Sequence, residues 1–273
     1  MTALTLTLRD KPRHRIDMAA VRPDRLSDLR PEDVARLSLD YGNRQVLLGE
    51  LFDITGRDPH HLIIRNSCSL LDAIGAGMET GHISIHGNSG DYLGLGMHSG
   101  AIEAHGDSGH WTGSGMQNGM IHVDGNCGDF AGAALPGEHQ GMRGGTLLIT
   151  GNTGDRTGDR MRRGQILIEG DAGDYCGARM VAGTIAVLGK VGIAPGYGMR
   201  RGTLLFEHRP ASIPATFNDC GQHTLGFLRL LLNSFSELNS RFSQLDSNRL
   251  RVRRYSGDLA CDGKGEILVW VSY

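Results

Sequence analysis

The chain is dominated by a 19-residue repeat, which limits what it can fold into more than any other feature. Glycines that open a G-x-[ILV] segment recur at spacings of 19, 19, 26, 19, 19 and 19 residues, and the long spacing contains seven extra residues near 134–140. These opening glycines are Gly81, Gly100, Gly119, Gly145, Gly164, Gly183 and Gly202. A unit this short cannot bury an apolar face alone, so the units must stack to form a core.

Each repeat carries the same internal marks. Apolar residues stand two and four positions after the opening glycine, as Ile83 and Ile85 do, and this period of two predicts a short strand with one buried face. A G-x-x-G-x-x-x-G segment between strands places glycine at turn positions where a Cβ would hinder the backbone conformation or a close approach. A methionine precedes each opening glycine by three residues, and we interpret this column as core: Met78, Met97, Met116, Met142, Met161, Met180 and Met199.

These marks predict a mainly β fold, a right-handed parallel β-helix of about seven 19-residue coils. At ~4.8 Å between coils, the stack would be roughly 30 Å long. Its ends need covering, because open ends expose unpaired strand edges. We expect an N-terminal α+β capping region over 1–65, the β-helix repeat domain over 66–209, and a C-terminal helix and hairpin over 210–273.

The two terminal regions differ in pattern from the repeats. Near the start, the sequence predicts a strand through Leu4, Leu6 and Leu8, a short helix from Pro31, and strands over 46–51 and 62–64. Near the end, an apolar stripe predicts one long helix over 223–245 that packs on the solenoid or contacts another chain. A hairpin over 251–255 and 267–271 should follow.

Composition excludes several classes of protein. Glycine contributes 41 of 273 residues without a three-residue period, so the chain is not collagen-like, and a net charge of -2 argues against a nucleic-acid binder. No apolar run approaches a membrane span, and the first residues lack the pattern of a signal peptide. The five cysteines are scattered, so we expect free thiols and a cytoplasmic protein.

Few residues suggest chemistry. His86, His105 and Asp124 share a column, but a straight ladder does not converge on one metal ion, so a polar ladder is favoured over a metal site. Four aspartates after turn glycines are expected to bond turn amides in preference to calcium: Asp91, Asp129, Asp155 and Asp174. The next column is interpreted as packing, or alternatively as a partner surface: Tyr92, Trp111, Phe130, Arg156 and Tyr175. No P-loop or nucleophilic triad stands out.

Charge is divided along the repeats. Residues 66–142 contain eight acids, seven histidines and no lysine or arginine, whereas residues 143–209 contain nine arginines and one lysine against six acids. The basic coils fit three roles: ordinary solvated charge, a contact with an acidic partner protein, or a site for the anionic tail of a cofactor. The candidate binding residues are Arg160, Arg162, Arg163, Arg179, Arg200 and Arg201.

The repeat M-x-x-G-x-[IL]-x-[IV]-x-G-[ND]-x-G-D-x-x-G, set between a small N-terminal region and a C-terminal helix and hairpin, resembles the C-subunit family of formylmethanofuran dehydrogenase. The same repeat occurs in the C-terminal domain of the glutamate synthase large subunit. The resemblance covers roughly 30–270 and implies a right-handed β-helix without a redox centre, whose partners carry the metal sites. It implies no catalytic or metal-ligating residue on this chain, and hence no complete active site here.

Within that family, the resemblance implies one of two complexes. In the bacterial formyltransferase/hydrolase complex of methylotrophs, a formyl group passes from formyl-tetrahydromethanopterin to a methanofuran analogue and is hydrolysed to formate. Arginine, at 25 of 28 basic residues, fits a GC-rich methylotroph, so we favour this complex. The chain would then link a formyltransferase subunit to a hydrolase-like subunit, and the methanofuran analogue would reach it only through the complex.

Three alternatives remain. One is the C subunit of a molybdenum or tungsten formylmethanofuran dehydrogenase, and another is a glutamate-synthase-like β-helix module with glutaminase and flavin–iron–sulfur partners. A carbohydrate-active β-helix is the third, but that class shows secretion signals and paired carboxylates in an aromatic cleft, and neither is evident here.

Overall fold

The computed structural model describes residues 2–271 and is mainly β, with short helices. The strands are β1 (Ala3–Leu8), β2 (Ile16–Asp17), β3 (Ser38–Tyr41), β4 (Arg44–Leu47), β5 (Phe52–Thr55), β6 (Asp58–Ser67), β7 (Leu71–Asp72), β8 (His82–Gly87), β9 (Ala101–Ala104), β10 (Met120–Val123), β11 (Arg143–Ile149), β12 (Arg163–Ile168), β13 (Thr184–Val187), β14 (Thr203–Phe206), β15 (Asn218–Thr224), β16 (Arg251–Gly257) and β17 (Gly265–Trp270). The α-helices are α1 (Pro23–Leu26), α2 (Pro31–Val34), α3 (Leu48–Leu51) and α4 (Phe227–Ser234). Two 3-10 helices are Arg241–Gln244 and Leu259–Cys261.

One large, mostly parallel sheet organises the described residues. Its order is β15-β16-β17-β14-β13-β12-β11-β10-β9-β8-β6-β1-β5, so the seven repeat strands are consecutive neighbours. Their registers match the repeat: Ile83 pairs with Ile102, and Ile121 pairs with Leu147 across the insertion. The inserted residues therefore lie outside the sheet and leave the strand register unchanged. A second, four-stranded sheet has the order β4-β3-β2-β7.

The columns identified in the sequence form the core. Every methionine of the column is fully buried, as is the first apolar residue of each repeat strand. Six of the seven methionines, all except Met199, also cover the opening glycine of the next repeat: a Cβ added at Gly100 would lie 2.8 Å from Met78 Cε and 2.6 Å from the Gly81 carbonyl oxygen. Gly100 has φ +94°, so close approach and backbone conformation both require glycine there.

The repeated aspartates bond turn amides, as predicted. Asp91 Oδ1 accepts from the backbone N–H of His110 at 2.9 Å, and Asp155 Oδ1 accepts from that of Asp174 at 2.8 Å. Asp129 and Asp174 make the same bond to the following coil, at 2.9 Å each. These carboxylates satisfy backbone donors that lie outside the main ladder and so join successive turns.

The outer face of the large sheet changes character along its length. Its outward residues are polar in the first repeats, such as Ser84 and Glu103, and apolar and buried later. The later set is Leu148, Leu167, Ala186, Leu205 and Leu268. The C-terminal segment covers this half through Leu228, Leu232, Phe235 and Phe242, which are all buried. The prediction that this segment packs on the repeats is confirmed.

The predicted long helix over 223–245 is wrong in its extent. His223 belongs to β15, which pairs antiparallel with β16, and the helix proper is only α4. The Ser234 hydroxyl donates to the Leu231 carbonyl oxygen at 2.6 Å, a local bond that competes with helical continuation. The predicted hairpin is confirmed by the antiparallel pairing of β16 with β17. No helix within residues 2–271 is both long and apolar enough to cross a membrane.

The strands and the helix predicted near the start of the chain are confirmed except for the strand over 46–51. The β1 strand and the strand over 62–64 are present, and α2 begins at Pro31. However, β4 ends at Leu47 and α3 follows it, because the Glu50 carboxylate accepts from the Leu47 backbone N–H at 3.2 Å and closes the first helical turn. Apolar alternation alone does not reveal that bond.

The cysteines give a direct test of this packing. All five are free, and burial raises the pKa of the Cys127 and Cys176 thiols to about 12. Because the thiolate is the reactive form, we expect these two to resist an aromatic disulfide reagent at mildly alkaline pH in the native chain. The partly exposed thiols of Cys68, Cys220 and Cys261 should react first. Five thiols should titrate in denaturant, and more than three fast native thiols would contradict the structure.

Candidate functional site

The six arginines predicted to bind an anion fall into two groups. Arg162 and Arg163 directly precede an opening glycine, as do Arg200 and Arg201, and these four are exposed. Arg143 was not singled out from the sequence but is their neighbour, since it pairs with Arg163 in the sheet register. These five residues are named the arginine stripe. None of them forms an ion pair within the part of the chain that the structure describes.

The arginine stripe is interrupted. In the coil between its two ends, Val181 and Ala182 occupy the equivalent positions, so the two basic pairs lie two coils apart. At the spacing of parallel strands this is roughly 10 Å. The stripe therefore offers two groups of guanidinium side chains to an extended anion, three on one side of a neutral gap and two on the other.

Arg160 and Arg179 lie at a different corner, before the buried methionines of their coils. They line a cavity of about 310 Å³ beneath the inserted residues, which we name the insertion-loop pocket. Its walls are the insertion from Ala134 to His139, the rings of Trp111 and Phe130, and the side chains of Asp159, Arg160 and Arg179. The sequence revealed the insertion and the arginines separately, but that they line one pocket depends on how neighbouring repeats pack in the structure.

The backbone at these two arginines is unusual. Arg160 has φ 58° and Arg179 has φ 51°, in the left-handed region. Glycines with φ between 62° and 67° hold the same position in other coils: Gly77, Gly96, Gly115 and Gly198. A non-glycine residue in this region is disfavoured by roughly 1–2 kcal/mol. Arginine therefore occurs twice at a position where its backbone is strained, and both copies line the same pocket.

Both guanidinium groups are held in place. Arg179 donates from Nε to Asp159 Oδ1 at 2.8 Å and from Nη2 to Asp159 Oδ2, a bidentate pair that raises the pKa of Arg179. The Asp159 side chain is only 6% exposed, so this carboxylate needs its partner. Arg160 donates from Nη1 to the Glu138 carbonyl oxygen at 2.9 Å, which ties the insertion to the coil. Asp159 was not predicted. In the sequence it is the single acid at a repeat position that otherwise holds alanine, leucine, serine and tyrosine.

The aromatic column also lies at left-handed backbone positions. Tyr92, Trp111 and Phe130 have φ values of 66°, 56° and 64°. The Trp111 and Phe130 rings stack at 4.8 Å with planes only 5° apart, and Tyr92 stacks on Trp111 at 5.6 Å. The guanidinium of Arg156 lies over the Tyr175 ring at 4.9 Å. The packing interpretation is supported, but two of these rings also form a wall of the insertion-loop pocket.

The histidine column forms a hydrogen-bonded network. His105 Nδ1 lies 2.7 Å from Asp124 Oδ2, and the His86 and His105 rings are 5.0 Å apart. Partial burial, with His105 and Arg65 nearby, lowers the pKa of His86. Ser84 and His122 extend the network and were not foreseen. Among residues 2–271, no three or more histidine, cysteine or acidic side chains are arranged to hold a metal ion.

Comparison with known proteins places the chain in a family. Residues 70–221 match the family described as GXGXG motif. The chain is 51% identical over 265 residues to the C subunit of the formyltransferase/hydrolase complex Fhc of Methylorubrum extorquens, covering 97% of this chain and 98% of the relative. It is 30% identical over 94 residues to the C subunit of a tungsten-containing formylmethanofuran dehydrogenase 2 of Methanococcus maripaludis, covering 34% and 35%.

A solved structure agrees. A chain of the crystal structure of the formyltransferase/hydrolase complex FhcABCD from Methylorubrum extorquens, in complex with methylofuran, superposes with a TM-score of 0.91 and 40% sequence identity. The match covers 98% of this chain and 100% of that chain. With full-length similarity in sequence and fold, the resemblance seen in the repeat is confirmed, and this chain belongs to the GXGXG-motif family as a member of the Fhc C-subunit family.

Proposed function

We propose that this chain is the structural C subunit of a formyltransferase/hydrolase complex in one-carbon metabolism. The observation that carries this proposal is the end-to-end similarity to the Fhc C subunit, at 51% identity over 97% of the chain. Formyl transfer from formyl-tetrahydromethanopterin to a methanofuran analogue, and hydrolysis to formate, would take place on partner subunits that carry the metal. This chain would join the formyltransferase and hydrolase subunits. Its five free cysteines favour a reducing, cytoplasmic location.

We propose that the repeats form a right-handed parallel β-helix. Equivalent residues of successive repeats pair in parallel, as Ile166 does with Ile185 and Ile185 with Leu204. This pairing supports a coil with one turn per repeat. A second ladder of parallel bridges supports it too, through Ser108, Cys127, Thr153, Ala172 and Val191. The corresponding division is an N-terminal cap over 1–65, the β-helix over 66–209 and a C-terminal cover over 210–273.

The arginine stripe is the part of this chain best suited to contact an anion in the complex. A methanofuran-type cofactor with a carboxylate-rich tail, or an acidic partner surface, would meet exposed guanidinium groups that have no carboxylate partner among residues 2–271. The two-coil gap between the basic pairs suits an extended chain of carboxylates, which can reach both pairs. If the stripe were only solvated surface charge, replacing its arginines would not affect assembly of the complex.

Neutralising the stripe is the test. We expect the variant with Arg162, Arg163, Arg200 and Arg201 changed to glutamine to lose at least about tenfold in affinity for its partners or in cofactor retained after purification, because four charge-assisted contacts are removed. A control with Arg36, Arg57, Arg229 and Arg251 changed to glutamine alters net charge equally. Native mass spectrometry of both complexes measures the difference. Equal assembly, cofactor content and turnover would contradict the role.

Affinity purification of the tagged chain from its native cell tests the function itself. Formyltransferase and hydrolase-like partners, without molybdenum, tungsten or iron–sulfur, support the proposal. The partial match to the tungsten-containing enzyme makes the dehydrogenase the second candidate, which tungsten or molybdenum with iron would favour. Glutaminase or flavin partners would favour the glutamate-synthase-like module and contradict both.

A further inference from the structure

We propose that the insertion-loop pocket binds a small planar carboxylate, an aryl carboxylate of about the size of benzoate. This site lies at a different corner from the arginine stripe and does not depend on the proposed assembly role. It rests on three observations: the size of the cavity, its aromatic lining and the two strained arginines.

The cavity and its wall set the size and shape of the ligand. A volume of about 310 Å³ is at the lower end of the range for small-molecule sites, which runs from roughly 300 to 1,000 Å³. Trp111 and Phe130 stack on each other with 5° between their planes, so each ring covers a face of the other and the ring edges line the cavity. The face of a planar ligand ring can pack across these two edges, which is the edge-to-face arrangement that aromatic pairs favour.

The two arginines determine the charge of the ligand that the pocket would bind. Arg179 uses Nε and Nη2 on Asp159, and Arg160 uses Nη1 on Glu138 and His139, so each guanidinium keeps N–H donors for another acceptor. Asp159 is already paired with Arg179 through both carboxylate oxygens. The exposed Glu138 carboxylate forms no ion pair within the described residues, and its backbone carbonyl is what binds Arg160. Fixed, unshared donors of this kind recognise a carboxylate.

The strain points to a role beyond packing. Glycine serves the fold at this position in four other coils, with open space around Gly96. An arginine there is disfavoured by its backbone, and such residues cluster at ligand sites.

Quenching of tryptophan fluorescence tests the proposal on the full-length chain. The two tryptophans are Trp111 in the pocket and Trp270 in the C-terminal cluster. We expect 4-nitrobenzoate, a quencher of the proposed class, to give saturable quenching, and the isosteric neutral 4-nitrobenzamide to bind at least about tenfold more weakly, because it cannot form charge-assisted hydrogen bonds. In Trp111→Phe the saturable signal should disappear, because Trp270 lies elsewhere.

The substitution Arg160→Gly removes one guanidinium and restores the residue that the column carries elsewhere. It should therefore keep its native circular dichroism while its affinity for 4-nitrobenzoate falls at least about tenfold. Asp159→Asn with Arg179→Gly removes the second guanidinium without leaving a buried carboxylate unpaired and should lower affinity similarly. The absence of saturable quenching, equal binding of acid and amide, or unchanged affinity in Arg160→Gly would each overturn the proposal. None of these outcomes changes the partners recovered with the chain, so the assembly role is tested separately.

Discussion

Replacing Phe242 with alanine is expected to lower the free energy of unfolding by about 3–5 kcal/mol, the usual cost of deleting a fully buried aromatic ring. Phe242 is completely buried and its ring meets Phe235 at 5.6 Å. It belongs to the cluster through which the C-terminal segment covers Leu148 and Leu167 on the outer face of the sheet. Losing it leaves a cavity and loosens the cover over several coils at once.

Guanidinium denaturation in a Trp111→Phe background measures this effect, followed by circular dichroism and by tryptophan fluorescence, which then comes from Trp270 alone. Trp270 lies in the same cluster, so its signal should reveal an early loss of the cover if it detaches before the coils unfold. Leu230→Ala is the matched control on the same segment, because Leu230 is 74% exposed. Its removal should change stability by less than about 0.5 kcal/mol. Equal, small losses in both variants would mean that the segment is not anchored on the sheet.

The repeat was predictable because its information is local. A methionine, an opening glycine and two apolar residues fix which side chains face the core in every coil, and all seven methionines are buried. The C-terminal segment shows where this reasoning ends. Its apolar stripe from Leu228 to Leu245 is buried or half-buried, as the pattern indicates, but the chain reaches the sheet through α4 and a 3-10 helix in place of one long helix. Local serine bonds decide that, and apolar periodicity does not register them.

The change along the outer face has a signal in the sequence that we did not foresee. The residue between the two core positions of each strand is polar through His122 and becomes leucine at Leu148 and Leu167. That switch marks where the cover begins, and it coincides with the insertion. A strand buried on both faces has a continuous apolar run, whereas a half-buried strand alternates.

The insertion-loop pocket was beyond prediction for a geometric reason. Arg160 and Arg179 were recognised as basic, but they were grouped with the arginine stripe because they too lie a few residues before an opening glycine. A buried methionine separates the two groups and directs them to different corners. Only the three-dimensional structure shows that Arg179, Asp159 and the aromatic stack border the same cavity.

The glycines of the repeat are not equivalent, and one pair of substitutions separates their roles. In Gly151→Ala the new Cβ would lie 2.5 Å from the Gly125 carbonyl oxygen and 2.7 Å from its carbon, and neither can move without parting two coils. We therefore expect a cost of about 3 kcal/mol. Gly96→Ala should cost only about 1 kcal/mol. Its φ of +62° disfavours a side chain, but nothing lies within 4 Å of the added atom.

Urea denaturation of both variants and the parent chain measures the free energies of unfolding to be compared. Equal m-values would show that all three chains undergo the same unfolding transition. Arginine already stands at the Gly96 position in two other coils, which shows that the backbone there accepts a side chain at a modest cost. A stack held by backbone contact between turns must fail first where a carbonyl meets a glycine, and not where glycine serves only to turn the chain. If Gly96→Ala proves as damaging as Gly151→Ala, conformational strain and not close approach limits the repeat.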